Sequence, residues 1–485
     1  MKIYVDLEFK GNKIEALESL PYGIGAHYKY EGNRKEIIRT LPDTYTVGLG
    51  ERDELRLHHI WDIARIAAEK VTGEINADEI YFYNIEKIHG STPFNTQQIT
   101  NAIVLGATTG LYRFDSYKAK KDPNKKIAKI TVSDAYAYQK EADVIAKAYV
   151  QTRTMIEMAP NDFYPESACK HVDEMFAHPM SVYVDDYDPE NFRRKSWDTS
   201  SSYIRRFYFT EKTVPGLFPS LWAVGRGAGN KPRMLVIEYK HPGTTFKNPI
   251  ALVGKGICMD TGGDDSKPSD AKKNMRMDMA GAANVIGTMK TIVDLNIPVW
   301  VVAVCPFAIN SPGPDAYTQE MVIGTYKNGP TTVIRHTDAE GRVVLSDAVR
   351  FAALEWNPKY IIELSTLTGA ARTAIGNWGR TVAISNHKPL EDTFLRAVER
   401  AGQRVTFLPL DEEALEAMQD KESGADHNNI GSAGSGGAIT GGAFVFLKLP
   451  DGTHMIHWDI APTTDKPELR GQEIRTLIEF MKMTV

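Results

Sequence analysis

The stretch Pro249–Gly287, PIALVGKGICMDTGGDDSKPSDAKKNMRMDMAGAANVIG, decides how the chain is read. It opens with IALVG, a continuous apolar run of the kind that forms a strand buried on both faces. Lys255 ends that run, Asp260 follows, and then come the Gly262-Gly263 pair and Lys267. Asp278 stands just before AGAAN, a small-residue helix start. A buried strand, a charged residue and a glycine turn, in that order, place chemistry beyond the carboxyl ends of strands, where open α/β sheets bind ligands.

Working outward, further apolar runs read as strands: SLWAVG, RMLVIEY, PVWVVAV, KYIIEL and TVAIS. Helical patterns such as AGAANVIGTMKTIVDL and VVLSDAVRFAALEW separate several of them. The alternation predicts an α/β domain with a mostly parallel, helix-covered central sheet. Toward the N-terminus, KIYVDLEF, TYTVGLG, EIYFYNI and NAIVLGA read as strands beside one clear helix, LRLHHIWDIARIAAEKV. That is a smaller α/β domain over residues 1–133. Residues 134–160 read as a connecting helix stopped at Ala159-Pro160, and residues 161–485 as the larger domain.

The 485 residues carry a net charge of −5, with 42% hydrophobic and 25% charged side chains. That is an ordinary globular balance and gives no reason to expect nucleic acid as the main partner. A lysine cluster (Lys118, Lys120, Lys121, Lys125, Lys126, Lys129) reads as a solvated loop face. Cys169, Cys258 and Cys305 lie far apart and read as free thiols of a reducing compartment. The first residues lack a signal-peptide core, and the longest apolar run, Val299–Ile309, is too short to span a bilayer. A soluble cytoplasmic protein is expected.

Several motifs fall away on inspection. Gly225–Gly229 looks like a dinucleotide loop, but a strand-like run follows it where a helix is needed. IGSAGSGG lacks the ending of a phosphate-binding loop, and the segment NNIGSAGSGGAITGG reads as a local loop. His454 and His457 read as polar strand residues on opposite faces, and His58-His59 has no acidic partner motif.

A second informative stretch is Arg335–Val344, RHTDAEGRVV, between the strand-like TTVI and a helix-like run. Asp338, Glu340 and Arg342 are spaced by two, so an extended backbone would aim all three side chains one way. With Asp260 and Asp278 this makes four acids for one site, with Lys255, Lys267 and Arg342 alongside. Two carboxylates about 4 Å apart repel by roughly 4 kcal/mol at an effective dielectric near 20. Four of them need counter-charge, either as a salt-bridge network or as divalent cations bridged by oxygen ligands. Acids without cysteine suit Zn²⁺, Mn²⁺ or Mg²⁺.

These motifs also carry a resemblance. GKGxxxDTGG, Lys267 seven residues beyond Asp260, MRxDMxGAA and TDAEGR together resemble the cytosol (leucyl) aminopeptidase family of dinuclear-metal peptidases. The resemblance continues in Tyr112–Lys118, WAVGRGAGNKPRMLVIEY, Glu363–Ala371, ADHNNIGSAG and HWDIA. It covers the whole larger domain and only touches the smaller one.

The resemblance implies a leucyl-type metallo-aminopeptidase. Such an enzyme releases the N-terminal residue, leucine and other mainly apolar ones, through a water activated by two metal ions. It further implies Lys255 and Asp278 on the tighter metal, Asp260 and Glu340 bridging both, and Asp338 completing the looser site, with Zn²⁺ or Mn²⁺ as the ions. An amine ligand must be neutral, which nearby dications favour. Lys267 would polarise the scissile carbonyl. Arg342 would hold a bicarbonate ion as general base. Met275, Thr366, Leu367, Gly369, Ala461 and Thr464 would line the substrate cleft. Family members form homohexamers built from trimers.

Where the family reads Asn before Thr-Asp this chain has His336, its Pro-Gly-Asp turn is missing near Glu320, and Thr464 replaces a larger apolar residue. Competing readings are a narrow dipeptidase, for example for cysteinylglycine, and a non-catalytic role in DNA binding or structure.

Overall fold

A computed structural model describes residues 2–9, 34, 37–41, 43–74, 77–119, 129–176, 181–184, 204–432, 434 and 436–485. Most of the lysine cluster (Lys120, Lys121, Lys125, Lys126) and the polar stretch 185–203 lie outside these residues. The chain divides into two compact units, Met1–Val150 with Glu399–Gln403, and Gln151–Val398 with Arg404–Val485. The long helix is Tyr136–Glu157, so the division falls within it.

The first unit is an α/β fold. Its five-stranded sheet runs Ile37–Leu41, Thr44–Gly50, Lys2–Phe9, Glu79–Tyr83, Lys129–Val132, with only the first pair antiparallel. The expected helix is present as Leu57–Glu74. The expected strand NAIVLGA instead lies inside the helix Thr96–Leu111. A capping box explains the difference. The Asn95 side chain accepts from Gln98 N at 2.9 Å, and the Gln98 side chain accepts from Asn95 N at 3.0 Å. Those reciprocal bonds start a helix whatever the apolar run after them prefers.

In the second unit one large sheet has a parallel core: Met455–Asp459, Tyr360–Ser365, Ile250–Gly254 and Trp300–Asn310. Antiparallel neighbours flank it, Thr381–Ser385 at one side and Arg233–Lys240 at the other. The short strand Gly256–Asp260 pairs in parallel with the far end of Trp300–Asn310. Every residue of Ile250–Gly254 is buried, as its unbroken apolar run predicts. Helices Ala280–Asp294 and Glu340–Trp356 cover the sheet, the latter through Val344, Ala348, Phe351 and Ala352 in the main core. A small three-stranded sheet (Val322–Thr325, Gly329–Val333, His427–Asn428) completes the unit.

Two further readings are corrected here. SLWAVG is helical, Pro219–Gly225, not a strand. Proline at its first position presets the helical φ and needs no N–H partner, and Leu221 N donates to buried Asp347 Oδ2 at 2.8 Å. The glycine-rich loop also ends earlier than expected, because Gly437–Phe446 is a helix.

Candidate metal centre and substrate cleft

Five parallel strands end at one edge of the sheet, and each ends on or next to a polar residue: Lys255, Asp260, Asn310, Thr366 and Asp459. The Gly262-Gly263 turn lets the chain double back after Asp260. Gly262 has φ +93°, and a Cβ there would lie 2.5 Å from Asp265 O and 2.7 Å from Lys267 N. The reversal is closed by Lys267 N donating to Thr261 O at 2.9 Å, which brings Lys267 beside Asp260.

The acids do converge. Asp260, Asp278 and Glu340 are buried and offer oxygens that all lie within 4.8 Å of one another. Lys255 Nζ is 2.7 Å from Asp278 Oδ2, 2.9 Å from Glu340 Oε1 and donates to Thr366 O at 3.0 Å. Lys267 Nζ is 2.8 Å from Asp260 Oδ2 and also pairs with Asp338. A Cβ on Gly341 would sit 2.6 Å from Lys255 Nζ, so a side chain there would have to displace that amine.

Asp338, Glu340 and Arg342 do not lie on an extended segment. Glu340 begins the helix Glu340–Trp356, Arg342 sits in its first turn, and Asp338 precedes it in a loop. The loop is held from outside. Thr337 N donates to Asp265 Oδ2 at 2.7 Å, and Tyr317 Oη to Thr337 O at 2.6 Å. Asn429 Nδ2 donates to His336 O at 2.7 Å. His336 Nδ1 accepts from Asp338 N at 3.1 Å and lies 3.6 Å from Asp265 Oδ2.

Sequence reasoning missed Asn310, whose Nδ2 donates to Asp260 Oδ1 at 2.9 Å and Thr337 O at 3.1 Å. It missed Asp265 as a loop anchor as well. The signal for Asn310 was one polar residue closing the longest apolar run.

Burial raises the carboxyls of Asp278, Glu340 and Asp338 above the ordinary range, and the neighbouring carboxylates add to it. Burial works against the ammonium of Lys255, but Asp278, Glu340 and Asp260 outweigh it and hold its pKa above the usual value. The same balance, led by Asp260 after burial, raises Lys267. Four carboxylates thus face two ammonium groups, a site short of positive charge. The donor set, hard oxygens with one amine, fits divalent cations.

Arg342 is 8% exposed, and burial pushes its pKa down to about 10. Its Nε has no hydrogen-bond partner among the described residues. Of the expected cleft residues, Thr366 donates through Oγ1 to Asp278 Oδ1 at 2.6 Å. Leu367 and Gly369 follow it, and the helices Gly369–Ile375 and Ala461–Thr464 pack together. Buried Arg470 donates to Thr464 O at 2.9 Å. It also pairs with Glu157 at 2.5 Å, and Glu157 in turn lies 3.1 Å from Arg276, next to Met275. His457 is fully buried on its strand and pairs with Glu363, its register partner.

The catalytic-domain profile of the cytosol aminopeptidase family matches residues 150–478, and its N-terminal-domain profile matches residues 37–121. The chain belongs to the cytosol aminopeptidase family. It is 31% identical over 502 residues to the "probable cytosol aminopeptidase" of Geotalea uraniireducens, covering 99% of this chain and 95% of the relative. That of Aquifex aeolicus is 30% identical over 473 residues, covering 93% and 88%. The fold is shared with the cytosol aminopeptidase of Coxiella burnetii, at TM-score 0.78, 21% identity and coverage of 99% and 97%. It is shared too with a bottromycin maturation enzyme solved in complex with Mn, at TM-score 0.81, 24% identity and 99% of both chains. As a cytosol aminopeptidase the chain is a metallo-aminopeptidase, a hydrolase whose family and donor set point to divalent metal ions. No helix among the described residues is long and apolar enough to cross a membrane.

Proposed function

We propose that this cytosol aminopeptidase removes the N-terminal residue, leucine and other mainly apolar ones, from peptides with a free amino group, using two divalent cations. The observation that carries the reading is the buried cluster of Asp260, Asp278 and Glu340 against Lys255, at the ends of parallel strands. Lys255, Asp260, Asp278, Asp338 and Glu340 would hold the ions, Zn²⁺ or Mn²⁺. When bound, such ions polarise a carbonyl and bring the pKa of a water to about 7.

The chain's own groups then supply orientation and charge. Lys267, 15% exposed at its side chain, would donate to the oxygen of the scissile carbonyl as negative charge develops there. Arg342, buried with Nε unpartnered, has donors to spare for a small anion, and bicarbonate fits as a general base. Backbone groups at Thr366, Leu367 and Gly369 would align the peptide, with Met275, Ala461 and Thr464 shaping the side-chain pocket. The free amino terminus is required because only an unprotonated, terminal amine can add itself to the ligand set.

The same reading takes residues 1–133 as an accessory domain, 134–160 as the connecting helix and 161–485 as the catalytic domain, in a cytoplasmic homohexamer. It is tested by leucine release from a short Leu-peptide and its N-acetylated twin, with Mn²⁺ or Zn²⁺ and after chelation. Only the free-amine peptide, and only with metal, should be cut. Cleavage of the acetylated peptide, or cleavage that survives chelation, refutes it.

A further inference from the structure

Asp459 ends the strand Met455–Asp459, opposite Ser365 on the neighbouring parallel strand, and is fully buried. Its carboxylate accepts four bonds. Oδ1 takes Leu367 N at 3.2 Å and Ala461 N at 3.1 Å. Oδ2 takes Thr368 N at 3.0 Å and Thr368 Oγ1 at 2.7 Å. Thr368 Oγ1 in turn accepts from Ala371 N at 3.0 Å and so caps the helix Gly369–Ile375.

These four donors come from two separate segments, one after the strand Tyr360–Ser365 and one after Met455–Asp459. Both supply residues of the cleft in the function proposed above. One step earlier in the chain, Thr366 is tied to the acid cluster through Lys255 Nζ and Asp278 Oδ1. The cleft loop is therefore clamped twice, at Thr366 to the metal centre and at Leu367–Thr368 to Asp459. Gly369, just beyond the second clamp, is exposed. Leu367 and Thr368 also adjoin Arg342: a Cβ on Gly441 would lie 3.0 Å from Thr368 Cγ2, 3.1 Å from Leu367 Cδ2 and 3.3 Å from Arg342 Nη2. With its four acceptor directions filled by Leu367, Thr368 and Ala461, the carboxylate of Asp459 does not consume the guanidinium of Arg342.

We infer that Asp459 is a positioning residue for peptide hydrolysis: through Leu367, Thr368 and Ala461 it sets the distance and orientation of the substrate cleft relative to the metal centre. The inference rests on the assignment of the Thr366–Gly369 segment to the cleft. A buried carboxylate is suited to the task because it accepts four bonds and donates none. An asparagine keeps one acceptor oxygen and turns a donor toward the remaining N–H groups.

The test uses the full-length, metal-loaded enzyme with Asp459→Asn, Thr368→Val and the double variant, measuring kcat, KM and bound metal. Asp459→Asn is expected to lower kcat/KM by about 10- to 100-fold, the larger share in KM, with wild-type metal content. Thr368→Val should give a smaller loss in the same direction, and the double variant should be no worse than Asp459→Asn alone, because both act through one bond network. Unchanged kinetics, a loss that follows lost metal, or two effects that simply add would overturn the inference. If Asp459→Asn does not fold, Thr368→Val decides alone: a raised KM with wild-type metal content supports it, and an unchanged KM sinks it. A wild-type enzyme that cuts no free-amine peptide under any metal condemns the proposed function instead; an active wild type with indifferent variants condemns only the role of Asp459.

Discussion

Lys255 and Lys448 are buried alike, 2% and 0% exposed, yet their surroundings drive them in opposite directions. Lys255 faces Asp278, Glu340 and Asp260, which hold its ammonium above the ordinary value against the cost of burial. Lys448 faces the carbonyls of Pro330 and Thr331 at 3.3 Å, Thr332 Oγ1 at 2.8 Å and His427 Nδ1 at 3.0 Å. Its direct partners are dipoles, so burial, helped by Arg350, outweighs the fields of Asp426 and Asp347, and its pKa falls to about 7. Burial alone therefore does not decide what a lysine does; the charge of its partners decides. Lys255 is built into an acid cluster that only further positive charge can relieve. Lys448 is a tie between chain segments.

Exchanging each lysine for methionine should separate the two roles. Lys255→Met removes a proposed ligand and leaves buried acids without their counter-charge. Loss of a metal costs several kcal/mol of charge stabilisation, so activity should fall about 10³-fold or more, with bound metal reduced. Lys448→Met should leave kcat, KM and bound metal within about twofold of wild type, since it touches no part of the cleft. An equal loss of activity in both variants would break the distinction.

Arg342, another buried cation, sharpens the contrast, because its Nε has no hydrogen-bond partner among the described residues. If that vacancy serves an anion acting as base, Arg342→Met should lower kcat by about 100-fold. It should also abolish any stimulation of the wild type by added bicarbonate, with the metal content intact. Bicarbonate stimulation that survives the substitution would remove Arg342 from the role.

The Lys255 region was legible because its logic is local. A buried strand, a lysine, an aspartate and two glycines follow one another, and parallel strands carry their ends to one edge. The shape of the Asp338–Arg342 segment was not legible, since spacing by two suggested extended backbone. Asp265, Tyr317 and Asn429, far away in sequence, instead bend it into a loop leading to a helix. Asp459 was hidden for the same reason: its four partners assemble only when two strands come into register. NAIVLGA and SLWAVG went astray because short apolar runs suit strand and helix alike, and the deciding residues, Asn95 with Gln98 and Pro219, lie before or at the margin of each run.

The smallest expected effect tests the Lys448 half of the comparison through pH. Burial pushes the pKa of Lys448 down to about 7 in the folded chain, against the ordinary lysine value of 10.5. Between those values the unfolded chain holds a proton that the folded chain has released. The unfolded state binds more protons there, so this residue makes stability rise with pH, by at most about 1.4 kcal/mol per pH unit. Below pH 7 both states are protonated and the dependence vanishes. Lys448→Met leaves the Pro330 and Thr331 carbonyls without that donor, which costs about 1–3 kcal/mol, but it removes the titration. His427, pushed down to about 4 by burial and by Lys448, and Asp347, pushed up to about 7 by burial, lose the field of Lys448 in the variant, while Asp426 and Arg350, which also act on Lys448, keep their places. The wild-type-minus-variant difference in denaturant-unfolding free energy should thus climb from pH 8 to pH 10, above the range in which His427 and Asp347 titrate. A difference that is flat above pH 8 would mean that Lys448 stays charged when folded, and that the two buried lysines are held by the same physics after all.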